Sequence, residues 1–90
     1  MAGFRLLIKP SAGKEIEAIG HKKDRQRIVE RIAALAAEPR PAGCEKLAGA
    51  VDRYRLRQGH FRIVYAIDDA RRTVEVVKVG HRSEVYRNVT

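Results

Sequence analysis

The chain has 90 residues, a formal net charge of +8 and a sequence pI of about 10.3. That length builds one small domain with a modest core, here residues 1–90. The charge points to an anionic partner, either nucleic acid, ribosome, acidic protein or membrane surface. No apolar run approaches the roughly 20 residues that span a bilayer, and the N-terminus lacks a signal-peptide pattern. A lone cysteine, Cys44, excludes an internal disulfide and fits the reducing cytosol.

Phe4-Arg5-Leu6-Leu7-Ile8-Lys9 reads as a first strand, with Phe4, Leu6 and Ile8 on one face and Pro10 as its stop. Ser11 is the expected N-cap of a short helix running to about Ile19, closed by Gly20. After a break at His21-Lys22-Lys23, a second helix reaches about Ala37, either capped by Asp24 or beginning a residue or two before it. Its apolar stripe is Ile28, Ile32, Leu35 and Ala36, while Arg27, Glu30 and Arg31 point elsewhere. Pro39 and Pro41 end it. Ala42–Asp52 is loop-like, with Lys46-Leu47-Ala48 as a short strand or anchor.

Arg53–Tyr65 reads as a β-hairpin turning at Gln58-Gly59. Strand alternation puts Tyr54, Leu56, Phe61, Ile63 and Tyr65 on one face. The other face carries Arg53, Arg55, Arg57, His60 and Arg62, with Arg55 expected opposite Arg62 and Arg57 opposite His60. Like charges facing each other across a sheet are destabilising, and nothing acidic lies within the hairpin. Such a cluster suits phosphate, because guanidiniums grip it in a planar, two-pronged way. Asp68–Arg72 then turns the chain, and Thr73–Val79 is a valine-rich strand expected to end at Gly80. His81–Arg87 forms a short tail or a helical turn.

The element order is β, α, α and then strands. It predicts a two-layer α+β fold, an antiparallel sheet with both helices on one face and the arginine face left open. There is no Gly-rich phosphate loop and no zinc-like Cys/His spacing, so neither cofactor nor metal is expected. At 6% aromatic residues with no Trp, a broad base-stacking platform is weakly supported.

Lys46-Leu47-Ala48-Gly49, the stretch Tyr54-Arg55-Leu56-Arg57-Gln58-Gly59-His60-Phe61-Arg62-Ile63-Val64-Tyr65 and Val79-Gly80-His81-Arg82-Ser83-Glu84-Val85-Tyr86 together resemble the RelE branch of the RelE/ParE toxin superfamily. The helix-ending Glu38-Pro39-Arg40-Pro41 also fits. The resemblance implies the cytoplasmic toxin of a type II toxin–antitoxin pair, held with a cognate antitoxin in a hetero-oligomer. It implies a ribosome-dependent endonuclease that cuts messenger RNA in the A site. A ParE-like gyrase inhibitor without nuclease activity, or a degenerate antitoxin-binding protein, is the alternative. The family's basic positions fall on Arg55, Arg57, Arg62 and Arg82, and its terminal tyrosine on Tyr86. Where family members often carry lysine on the first arm, this chain has arginine, which clamps charge but cannot act as a base. Proton carriers within such a site are His60, His81 and Tyr86. Each also has a plain structural reading: His60 and His81 as turn residues, Tyr86 as a tail anchor.

Overall fold

Proline and glycine signals set the helical pair, and five strands make the sheet. A computed structural model describes residues 3–49 and 52–81. The elements are β1 (Arg5–Ile8), α1 (Pro10–Glu17), α2 (Lys22–Ala34), β2 (Glu45–Lys46), β3 (Arg53–Gln58), β4 (Phe61–Asp68) and β5 (Thr73–His81). Pro10 occupies the first helical turn of α1, where its fixed φ is already helical and its missing N–H costs nothing. The residue before the helix is Lys9, so Ser11 lies inside α1 and does not cap it. His21 precedes α2 in extended conformation, and Asp24 sits in the first turn of that helix. There its carboxylate lies 3.6 Å from His21 Nδ1 and meets the positive end of the helix dipole.

The five strands are ordered β1-β5-β4-β3-β2. Strands β2 to β5 are antiparallel neighbours, as the hairpin pattern requires, but β1 adds to β5 in parallel. The sheet is therefore mixed. The cause is topological: β1 leads straight into the helical pair, and the chain re-enters at the opposite edge. Three reversals then bring β5 back beside β1, running the same way.

Both helices cover one face. Ala12, Ile16 and Ile19 of the first helical region and Ile28, Ile32 and Leu35 of the second meet Leu56, Ile63, Tyr65, Ile67, Val74, Val76 and Val79. This is the apolar face expected from alternation. β5 carries a bulge opposite Val64/Tyr65, which lets Val76 and Val79 both face the core. Its ladder does not stop at Gly80. Arg62 pairs with Gly80 and Phe61 with His81, so His81 is a strand residue rather than the start of a tail. The strand can run on because its partner β4 supplies ladder positions up to Phe61.

Past Ile8, β5 has no β1 partner. Glu15 of α1 fills the gap: its Oε1 accepts the Val79 N–H at 2.9 Å, and its Oε2 accepts Lys78 Nζ.

A polar clamp fastens the far end. The buried Tyr65 hydroxyl donates to the Pro39 carbonyl at 2.8 Å, and its ring stacks on Tyr54 with centroids 6.0 Å apart. Burial pushes the Tyr65 hydroxyl well above its ordinary pKa, so it stays a donor. Arg40 lies over the Tyr54 ring, 5.1 Å from its centroid, and forks onto Asp69 at 3.1 and 2.9 Å. That hydrogen-bonded guanidinium holds the Asp69 carboxyl below its ordinary range. A depressed carboxyl contributes stability above its unfolded value and loses it as pH falls through the folded one. The Arg40–Asp69 contribution is accordingly complete at neutral pH and disappears only in acid. Tyr65→Phe should cost about 1–2 kcal/mol, since the Pro39 carbonyl loses its donor inside the core. In a thermal melt of a domain this size that is a fall of roughly 4–16 °C.

Candidate functional site

The hairpin closes one residue later than its sequence suggested. Gln58 pairs with Phe61 and the two-residue loop is Gly59-His60. Gly59 adopts φ +61°, whereas His60 is not among the residues of positive φ. That is the pattern of a type II′ hairpin turn, which takes glycine first. Consequently Arg57 faces Arg62, Leu56 faces Ile63, and Arg55 faces Val64. The expected Arg55–Arg62 and Arg57–His60 pairs do not form. Both strands shift together, so the faces are unchanged: Arg53, Arg55, Arg57 and Arg62 still share the side away from the helices.

That side is not simply open. Arg53 and Arg57 are exposed and Arg55 is half-buried. Arg62 is only 7% exposed, and its neighbour on that face, Val64, is 1% exposed. Among the described residues the Arg62 guanidinium makes one hydrogen bond, from Nη1 to the Phe61 carbonyl at 3.3 Å. Its cross-strand neighbours are Arg57 and Gly80, the latter without a side chain. A largely buried arginine with no carboxylate beside it among the described residues is costly.

Two further residues reach this cluster from outside the hairpin. Glu45 of β2 pairs with Arg55 across the strands, and its Oε1 accepts Arg55 Nε at 2.8 Å and lies 2.6 Å from Nη2. The acid that the hairpin lacks therefore arrives from the short edge strand. Arg31 arrives from α2, with its Nε buried and without a hydrogen-bond partner among the described residues. Arg31, Gly43, Glu45, Arg55, Arg57 and Arg62 line a cavity of about 290 Å³ at the edge of β3 that β2 leaves uncovered. Sequence reasoning missed both residues. Arg31 flanks the Ile28/Ile32 stripe, and a flank position is the signal for a side chain that can reach around a sheet edge. Glu45 becomes visible only once β2 is paired with β3.

The histidines lie elsewhere. His81 pairs with Phe61 and so falls on the helix side of the sheet, with its ring edge-on to Phe61 at 6.0 Å. His60 stacks on it from the turn, centroids 6.1 Å apart. His81 lines a second cavity, about 450 Å³, together with Glu15, Ile19, Phe61 and Lys78. The structure brings Arg55, Arg57 and Arg62 together, but it does not place His60 or His81 beside them. Arg82 and Tyr86 lie outside the described residues. Among the described residues no three His, Cys, Asp or Glu side chains gather as a metal site, and no helix is long and apolar enough to cross a membrane.

A family model described as the ParE toxin of type II toxin–antitoxin system, parDE, matches residues 6–86. The chain belongs to the RelE/ParE toxin superfamily. Within it, the similarity runs to proteins named RelE. Toxin RelE of Mycobacterium tuberculosis is 34% identical over 74 residues, spanning 72% of this chain and 76% of that protein. The crystal structure of the archaeal RelE–RelB complex from Pyrococcus horikoshii superposes with a TM-score of 0.79 at 26% identity, covering 93% of this chain and 99% of that one. A free E. coli RelE carrying two arginine-to-alanine changes superposes at 0.73 with 33% identity, covering 97% and 93%. This RelE-like toxin therefore shares both the helical pair and the sheet with solved relatives.

Because Arg62 is buried without an acidic neighbour among the described residues, removing its charge should relieve the fold. Arg62→Met should leave stability unchanged or raise it by up to about 1–4 kcal/mol, measured by urea unfolding. A loss of stability would show that Arg62 is held by a favourable pairing.

Proposed function

We propose that this RelE-like toxin is a ribosome-dependent endonuclease that cuts messenger RNA in the A site and is neutralised by a cognate antitoxin. The observation that carries the reading is the shared face of Arg55, Arg57 and Arg62, with Arg62 buried beside a like charge. A protein that only docks on a partner gains nothing from holding a guanidinium at that cost. A site preorganised for a phosphorane does, because its donors need no reorganisation when charge develops.

Cleavage without a metal uses the RNA 2′-hydroxyl against the adjacent phosphate. It needs a base for that hydroxyl, positive charge on the phosphorane and an acid for the departing 5′-oxygen. Arg62, with Arg82 from the following segment, supplies the charge. Arg53, Arg55 and Arg57 steer the strand; His60, expected to join them, stacks on His81 instead. Proton transfer is assigned to Tyr86, on the resemblance to the family's terminal tyrosine. His81 is the other candidate proton carrier, although it faces the helix side of the sheet.

The relatives support the antitoxin half of the proposal: RelE of Pyrococcus horikoshii and RelE of E. coli were each solved in complex with an antitoxin. An acidic, partly disordered segment that folds on this basic domain fits the charge of +8. A ParE-like block of DNA gyrase is the second reading, favoured by the description of the matching family model.

Induction in cells with mapping of RNA 5′ ends separates the two. In-frame cuts within translated messages support the nuclease; intact messages with DNA damage support gyrase. On programmed ribosomes, Arg62→Ala should slow single-turnover cleavage by on the order of 10²–10³, and Arg62→Lys should restore only part of it, since a point charge lacks the fork. Tyr86→Phe should lower the same rate by roughly 10²-fold or more while leaving ribosome binding near normal. An active Tyr86→Phe beside an inactive His81→Gln would transfer the proton to His81.

A further inference from the structure

The cavity at the uncovered edge of β3 asks for an anion that the hairpin alone does not explain. Its wall includes Arg31, which belongs to α2 and not to the arginine face. Four guanidiniums and one carboxylate line it. Among the described residues Arg31 Nε is buried without a hydrogen-bond partner, and Arg62 makes one long bond to a backbone carbonyl. Buried donors are nearly always satisfied, so Arg31 Nε is a donor on this wall that an anion in the cavity can meet. The cavity volume, about 290 Å³, is at the small end of ligand pockets; it suits a phosphodiester and part of a nucleotide.

Glu45 shows where an anion sits. Both Arg55 nitrogens converge on a single oxygen, Oε1. The Glu45 side chain is 63% exposed. Exposed ion pairs contribute about 0–1 kcal/mol, so an arriving phosphate, with more charge and more acceptor oxygens, can displace it.

We propose that this cavity is a second phosphodiester subsite for single-stranded RNA, in which Arg31 is a positioning guanidinium and Glu45 is an internal competitor that phosphate displaces. The proposal rests on the RNA-cleaving reading and adds a contact to it. Arg31 touches a neighbouring phosphate rather than the scissile one. It fixes the register of the strand over Arg62.

The test uses the full chain and a single-stranded RNA oligonucleotide methylated at every 2′-oxygen, which removes the nucleophile and so blocks cleavage. Binding is followed by fluorescence anisotropy across a salt series. Arg31→Met should weaken binding and lower the slope of log K against log salt by about 0.7, the value for one phosphate contact on a single strand. Arg27→Met removes the same charge from an exposed position of α2 and should leave the slope unchanged. Glu45→Gln should tighten binding by up to about fivefold, the ceiling for an exposed ion pair. Far-UV circular dichroism checks folding, and Arg31→Gln repeats the measurement if the Met variant does not fold. Equal slopes for the Arg31 and Arg27 variants would overturn the subsite, and unchanged or weaker binding by Glu45→Gln would overturn the competitor. The two readings fail separately. Normal cleavage on ribosomes with no Arg31 effect removes the subsite alone. An Arg31-dependent slope in a chain that cuts no message removes the nuclease alone.

Discussion

The backbone of Gly59 governs what the hairpin can present. Its φ of +61° belongs to a region that costs a residue with a side chain roughly 1–2 kcal/mol, and this position starts the turn between Gln58 and Phe61. From that point each pairing downstream is determined. A slip of one residue on one strand alone would send every apolar side chain to the outside. The observed displacement moves both strands together. The core keeps Leu56, Ile63 and Tyr65 while the partner of each arginine changes.

The changed partners alter the electrostatics. Arg57 rather than Arg55 becomes the residue facing Arg62, while Arg55 reaches across to β2 and meets Glu45. The two halves of the basic face then differ. One arginine is balanced by an exposed carboxylate; the other is buried next to a like charge with a bare glycine on its far side. The fold tolerates this because the opposite face of the same strands is packed by both helices, so hydrophobic burial offsets the local repulsion.

Much of the fold was legible in the sequence because local signals and tertiary needs agree. Pro10, Gly20 and Pro39 bracket the helices; valines and aromatics alternate where strands form; the two-face pattern of the hairpin survives for every residue but His60, which moves into the turn. What escaped depends on long-range geometry. The parallel docking of β1 on β5 brings together strands more than sixty residues apart. Gly80 reads as a stop, yet it continues a ladder that β4 keeps supplying. In the site, the arginine face was visible from alternation alone. Arg31 and Glu45 were not, since one approaches from a helix and the other from a two-residue strand. His81 reads as the start of a tail, but its pairing with Phe61 makes it a strand residue turned to the helix side.

Glu15 carries a consequence for how this molecule meets copies of itself. Where β1 runs out, the margin of β5 would offer bare N–H groups to any passing strand, and such margins are where chains stack into aggregates. The carboxylate of Glu15 already takes the Val79 N–H, and Lys78 holds the carboxylate in place. A strand approaching there would have to evict a charged pair before gaining its first bond. The other side of the sheet ends in only two residues of β2. At this margin of β5, then, addition of a strand is opposed by a charged pair, whereas the part of β3 beyond its two-residue partner keeps an uncovered edge among the described residues.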